Sequence, residues 1–250
     1  MPGMVEQTTQ PVAGVEEWLS PEYRSLPENT ERLREIRAKL DREGVVELLD
    51  FLTPEAHELL KRQVLELESE AQRTAARGNK KSIVKSDQLR DTVVGELARS
   101  RYALELVNGV LGSFQDASAL TDEPIRDGEL IPGISLIRGP GDATAYHFDG
   151  TYLNLILPII IPEIPGPRRG QLVIYPNIRS FRRTLLDRKL VPAIARVRQL
   201  RRIWRKVEVD YRERGVYLFY GYRSLHGVDS PSEASLRCIT NMTVGSARFN

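Results

Sequence analysis

Histidine occurs at only three positions in the 250 residues, and two of the three, His147 and His226, stand in unusual company. In Ala145-Tyr146-His147-Phe148-Asp149-Gly150 an imidazole and a carboxylate lie two residues apart. If this segment is extended, a period of two sends both side chains to one face. They can then offer a single divalent ion two protein atoms. His226, read at the end of an apolar strand in Leu218-Phe219-Tyr220-Gly221-Tyr222-Arg223-Ser224-Leu225-His226, would supply a third. Two imidazoles and one carboxylate on one face of an ion leave the opposite positions free. That arrangement suits non-haem Fe(II), which needs room for O2 and an organic co-substrate together. A structural zinc site would instead close its shell with four protein ligands. The expectation is an open, catalytic metal site built from His147, Asp149 and His226.

Arg237 follows in Ser235-Leu236-Arg237-Cys238-Ile239-Thr240-Asn241-Met242, an otherwise apolar strand pattern. A guanidinium in such a strand needs a partner if it is buried. Its fork matches a carboxylate through two parallel hydrogen bonds, and the far carboxylate of 2-oxoglutarate would fit it. Asn241 shares the strand face of Arg237 and could add a donor. Asn154, which interrupts the apolar run Leu153–Pro162, is counted with Arg237 and Asn241 among the co-substrate candidates. For the substrate, Arg138 before Gly139-Pro140-Gly141-Asp142 could take a carboxylate, and Tyr146, Phe148 and Tyr152 flank the metal candidates. Barrel packing would explain those aromatics equally. Tyr222 and Arg223 could reach the site mouth or face solvent, and Arg126 and Lys85 fall in polar connections that could form a lid.

The elements that must position these groups are legible from periodicity. Residues 1–29 are polar and contain proline, and read as a loose arm. Thr30 serves as a plausible helix N-cap, with Leu33, Ile36 and Leu40 at helical spacing up to Gly44. Gly44-Val45-Val46-Glu47-Leu48-Leu49 is strand-like. Thr53-Pro54-Glu55 opens a second helix, expected to run to about 75–78, and a third is expected over about 98–110. After Ser113 short β-rich runs separated by Gly, Pro and Asp predict a sandwich or small barrel. Helices first and strands afterwards give an α+β chain with a mostly antiparallel sheet and a mainly β core. The organisation expected is one domain over 1–250, with helical support over 30–115 and a β core over 116–250.

One insertion breaks the β pattern. Residues 179–206 hold eleven Lys or Arg against one acid, so the rest of the chain is net acidic although the whole carries only +2. Apolar positions there recur at helical steps. The segment reads as the solvated outer face of a helix packed on the barrel, as a cap that attracts an acidic substrate to the mouth, or as a nucleic-acid contact. Scarce aromatics for base stacking argue against the last. At 41% hydrophobic and 28% charged residues, a disordered, collagen-like or disulfide-built chain is excluded. Cys238 is the one cysteine, no secretory signal is read at the start, and no apolar run approaches the roughly 20 residues of a membrane helix. A cytoplasmic protein with a small-molecule partner of anionic character is expected, with no membrane partner.

The C-terminal half resembles the Fe(II)/2-oxoglutarate-dependent dioxygenases, closest in texture to the phytanoyl-CoA dioxygenase-like branch. The matching stretches are His147-Phe148-Asp149-Gly150, Gly170-Gln171-Leu172-Val173-Ile174-Tyr175-Pro176, Gly215-Val216-Tyr217-Leu218-Phe219, His226-Gly227, Ser230-Pro231 and Arg237. The resemblance implies a double-stranded β-helix, a jelly-roll or cupin-like barrel with supporting helices outside. It implies His147, Asp149 and His226 as iron ligands, Arg237 as the salt-bridge partner of the 2-oxoglutarate tail, and O2 as oxidant. Related halogenases carry Gly or Ala where Asp149 stands, so the carboxylate favours oxygen transfer, with hydroxylation of an unactivated C–H bond and release of succinate and CO2. Desaturation or ring closure could use the same ligands. A non-catalytic metal-binding or sensor module on the same fold is the rival reading.

Overall fold

Alternating apolar residues divide the strands between two buried layers. The structure, a computed structural model, describes residues 14–75, 79–111, 130–163, 170–180, 191–197 and 199–244. In chain order its elements are α1 (Pro21–Arg24), α2 (Thr30–Glu43), β1 (Val45–Leu48), α3 (Pro54–Glu66), β2 (Gln72–Thr74), β3 (Lys81–Val84), α4 (Val93–Arg99) and α5 (Arg101–Leu111). The β-rich half follows: β4 (Ile131–Ile137), β5 (Thr144–His147), β6 (Leu153–Ile160), β7 (Leu172–Tyr175), β8 (Val207–Val209), β9 (Val216–Phe219), β10 (Leu225–Val228) and β11 (Arg237–Val244). A short helix, Val191–Arg196, precedes β8.

All the strand pairs are antiparallel and form two sheets. The larger has the order β1-β9-β6-β11-β4-β3-β2, and the smaller β5-β10-β7-β8. On β11, Cys238, Met242 and Val244 join α2–α5 in one apolar core. Ile239 turns the other way and packs with Ile137, Ile156, Leu172, Ile174, Phe219 and Val228 between the sheets. Arg237 and Asn241 share the inward parity of Ile239 on the same strand. The large sheet is thus buried on both faces: helices cover one, and the small sheet faces the other.

The helices form where their caps allow. The Asn29 side chain, one residue before the expected Thr30, accepts a hydrogen bond from the Arg32 N–H at 3.0 Å and starts α2. Thr53 caps α3 as read from sequence, accepting from Ala56 at 3.2 Å. That helix stops at Glu66, short of the expected 75–78, because a 3-10 turn over Leu67–Glu70 delivers the chain into β2. The expected single helix over 98–110 is two helices. Ser100 is extended, and its hydroxyl caps α5 by accepting from Ala103 at 3.1 Å.

Two further expectations change. Residues 14–29 are packed rather than loose: Val15, Leu19 and Leu26 are buried, Leu19 bridges Leu52, and the Thr53 N–H donates to the Trp18 carbonyl at 2.8 Å. Apolar residues among the polar ones make that docking favourable. β2 and β3, within the stretch read as helical support, extend the large sheet. No helix among the described residues is long and apolar enough to cross a membrane.

Gly44 ends α2 in the left-handed region (φ 83°), and a Cβ there would overlap the Pro176 side chain. Asn177 ties the same corner by donating to the Leu40 and Asp41 carbonyls at 3.0 and 3.1 Å. Gly44→Ala combines left-handed strain with overpacking and is expected to cost about 2–4 kcal/mol. In urea unfolding this reads as a lower midpoint at unchanged slope; an unchanged midpoint contradicts the packing described.

Candidate metal centre

β5 and β10 are neighbours in the small sheet, and their register sets His147 directly opposite His226. Cross-strand partners point to one face, so the two imidazoles stand side by side with ring centroids 4.5 Å apart. The expected strand end is corrected in detail: His226 lies inside its own strand, beyond a turn from β9, and Asp149 lies just past the end of β5. Each histidine Nδ1 faces a backbone carbonyl, Ala145 at 2.7 Å and Ser224 at 3.0 Å. A carbonyl only accepts, so Nδ1 carries a hydrogen and Nε2 is the atom each ring turns inward, the one a metal ion would take. The Phe219 ring meets His226 edge-on at 4.8 Å and fixes its plane.

Both Nε2 atoms converge on Asp149 and hydrogen-bond to it. Its Oδ1 is 3.1 Å from His147 Nε2 and its Oδ2 3.1 Å from His226 Nε2. One ligand atom from each of the three residues lies within 4.8 Å of the others. Burial acts against ionisation of Asp149, but His226 and His147 outweigh it and hold the carboxyl well below its usual range. No fourth His, Cys, Asp or Glu joins this group among the described residues. The donor set, two imidazole nitrogens and one carboxylate on one side, therefore fits a divalent transition ion with open positions.

The carboxylate is held from behind. Asn154, fully buried on β6, donates through Nδ2 to Asp149 Oδ2, and its own Oδ1 accepts from the Thr151 hydroxyl at 2.9 Å. The Asp149 N–H donates to the Gly221 carbonyl at 3.1 Å. A Cβ on Gly221 would come within 2.8 Å of both Asp149 Oδ2 and Asn154 Nδ2. Asn154, read from sequence among the co-substrate candidates, thus orients a candidate metal ligand.

A second polar group lies in the same interior. Arg237, 3% exposed, sits with its guanidinium carbon 4.9 Å from the Tyr211 ring centroid. Arg237 Nη2 and the Tyr211 hydroxyl are both buried without a hydrogen-bond partner. Burial pushes the Tyr211 hydroxyl pKa up, so it stays a donor. These two buried donors, one of them on a cation, could take a carboxylate. Asn241 shares the inner face, its Oδ1 buried and unpartnered. Tyr211 carried no signal in the sequence beyond strand alternation with Val209, which most strand aromatics show.

Several substrate candidates point elsewhere. Arg138 turns to the helix side of the large sheet, pairing with Glu68 at 3.1 Å and donating to the Ser82 hydroxyl at 2.7 Å. Tyr146 and Phe148 alternate with His147 and Asp149, so they pack on the outer face of the small sheet with Val173, Tyr175, Leu225, Ala195 and Trp204. Arg179 stacks 3.6 Å over the Phe148 ring and Arg201 4.2 Å over Tyr146. The described part of the basic insertion thus covers the back of the metal strands. Its residues 181–190 and 198 lie outside the described residues, as does Arg126. Tyr152 is buried, its ring 6.4 Å from that of Tyr222. Arg223 is turned to Asp41 of α2 at 3.2 Å, and Lys85 is exposed ahead of a 3-10 turn. Lys81, which the sequence reading passed over, faces the interior.

Asn154→Ala removes the support of Asp149 without removing a ligand, and metal affinity is expected to fall about 10–100-fold. Gly221→Ala is expected to act in the same direction by displacing the carboxylate. Competition against a metal indicator dye measures both, and wild-type affinity in the two variants contradicts the support described.

No protein-family model and no curated protein matches the sequence. Solved structures do match. One is the epimerase SnoN in complex with Fe3+, alpha ketoglutarate and nogalamycin RO, at 16% identity over 88% of this chain and 85% of that one, TM-score 0.62. A second is the non-heme alpha ketoglutarate dependent carbocyclase SnoK from nogalamycin biosynthesis, at 17% identity over 87% and 86%, TM-score 0.59. A third is a Pseudomonas putida prolyl-4-hydroxylase, at 13% identity over 85% and 98%, TM-score 0.58. These structures do not separate the phytanoyl-CoA dioxygenase-like branch from its relatives. With its two facing antiparallel sheets and their supporting helices, the chain has the double-stranded β-helix fold of the Fe(II)/2-oxoglutarate-dependent oxygenases.

Proposed function

We propose that this protein is a 2-oxoglutarate-dependent non-haem iron oxygenase that acts on a small organic molecule, an amino acid or a natural-product intermediate. The observation that carries the reading is the convergence of His147, Asp149 and His226 within 4.8 Å, in the same interior as the buried, unsatisfied Arg237 and Tyr211 donors. His147 and His226 would hold the ion through Nε2, each ring fixed by its Nδ1–H to a carbonyl, and Asp149 would add the anionic ligand. Arg237 and Tyr211 would take the far carboxylate of 2-oxoglutarate and so fix its orientation. Ile137, Ile156, Leu172, Val228 and Ile239 line the space between and exclude water. Iron, 2-oxoglutarate and O2 when bound supply an oxidant able to attack an unactivated C–H bond, with succinate and CO2 released.

Hydroxylation is the outcome assigned. Epimerisation or ring closure is the second reading, favoured by the likeness to an epimerase and a carbocyclase, since both can run on one ligand set. The reading takes the whole chain as one such domain acting in the cytoplasm, in keeping with a buried free Cys238.

Anaerobic titration with Fe(II) and 2-oxoglutarate tests the reading by difference absorption in the visible range. A metal-to-ligand band is expected in the native protein and is lost in His147→Ala and His226→Ala. Asp149→Gly is expected to abolish hydroxylation. Arg237→Ala should retain iron uptake but weaken 2-oxoglutarate by about 2–5 kcal/mol, roughly thirtyfold or more. No band in the native protein, or unchanged 2-oxoglutarate affinity in Arg237→Ala, overturns the corresponding assignment.

A further inference from the structure

Lys81 is the interior cation that the proposed chemistry leaves unused. The segment around it closes one side of the two-sheet sandwich. Lys80 exchanges both backbone hydrogen bonds with Ala143 at 2.9 Å, and Asn79 Oδ1 accepts from the Ala145 N–H at 3.0 Å, so this stretch flanks the small sheet next to the His147 strand. The following residues, Ser82–Val84, pair with Ile134–Leu136 of β4 in the large sheet. Ser82 turns to the helix side, where it accepts from Arg138. Alternation then turns Lys81 and Ile83 into the space between the sheets. Lys81 is half-buried there. Burial lowers its pKa, Asp149 acts to raise it and Arg237 to lower it. Strand parity thus sends Lys81 into the same interior as the metal ligands and the buried guanidinium. Asp149 directs its two oxygens to the histidines and Asn154, and no described carboxylate makes an ion pair with Lys81.

A charge count says what the lysine awaits. Under the reading above, divalent iron, Asp149, Arg237 and the dianion 2-oxoglutarate cancel one another. Lys81 adds one positive charge that none of them balances, and a partly desolvated charge is stable only when paired. The far carboxylate of 2-oxoglutarate belongs to Arg237 and Tyr211, and its other end to the ion. We propose that Lys81 is the receptor for an acidic group of the primary substrate, which is therefore a small organic anion anchored by a carboxylate at the β3 corner of the cavity. Ile83 and Ser135, paired across β3 and β4 on the same inner face, would flank its body. The proposal rests on the iron and 2-oxoglutarate reading and deepens it.

The experiment pairs acids with their primary amides. The twenty amino acids, straight-chain acids of four to twelve carbons, benzoate and phenylacetate, each beside its amide, are added anaerobically to protein loaded with Fe(II) and 2-oxoglutarate. The readout is perturbation of the visible band, run on the native protein, Lys81→Met and Lys81→Arg. At least one acid is expected to perturb the band while its amide does not. Its affinity should fall at least tenfold in Lys81→Met and recover in Lys81→Arg, with iron uptake and 2-oxoglutarate affinity within twofold of native. A tenfold loss of 2-oxoglutarate affinity in Lys81→Met assigns the lysine to the co-substrate and overturns the proposal. So do equal responses to acid and amide, unchanged acid binding in Lys81→Met, or a panel in which no acid acts. Absence of any band in the native protein marks failure of the underlying reading instead.

Discussion

A buried carboxylate between two imidazoles is the interaction on which the rest of this structure depends. Taking an ionised aspartate out of water costs several kcal/mol unless charge and hydrogen bonds compensate. Asp149 is compensated on every side: two imidazoles hydrogen-bonded in front, the Asn154 amide behind, and its own backbone tied to Gly221. The arrangement is possible only because β5 and β10 pair with His147 opposite His226. A slip of one residue would turn one ring to the outer face among Tyr146 and Phe148, and the ligand set would vanish.

That register is enforced from both faces. Outside, Tyr146, Tyr175 and Leu225 pack under the basic segment, with two arginines stacked on aromatic rings. Inside, Phe219 braces His226, and Ile174 of β7 stands directly across from it. Apolar packing on each face makes the wrong register costly, because it would bury histidine outside and leave large apolar groups facing the polar interior. The described part of the basic insertion thus packs on the back of the metal strands.

The large sheet contributes differently. Its helix-side face is apolar along β11 apart from Thr240, whereas its inner face carries Arg237, Asn241 and Asn154, with Lys81 on β3. These polar groups are tolerated where they meet each other or a ligand position. Arg237 Nη2, the Tyr211 hydroxyl and Asn241 Oδ1 are among the buried polar atoms for which folding left a hydrogen bond unmade.

Much of this was readable from residues alone. The His147-x-Asp149 pair, the inward parity of Arg237 and Asn241, the Thr53 cap and the run of antiparallel strands follow from local spacing, the information a sequence carries most directly, whereas His226 joined them only as a candidate of suitable type and through the resemblance. Local spacing could not tell that Asn154 serves Asp149, that Tyr211 shares an interior with Arg237, that Arg138 and Tyr146 face away, or that residues 14–29 dock. Each of those depends on contacts between segments far apart in the chain, where strand order and register choose the partner. Which side chains could do chemistry is a matter of type and period; which of them meet is settled only when the two sheets close over one another.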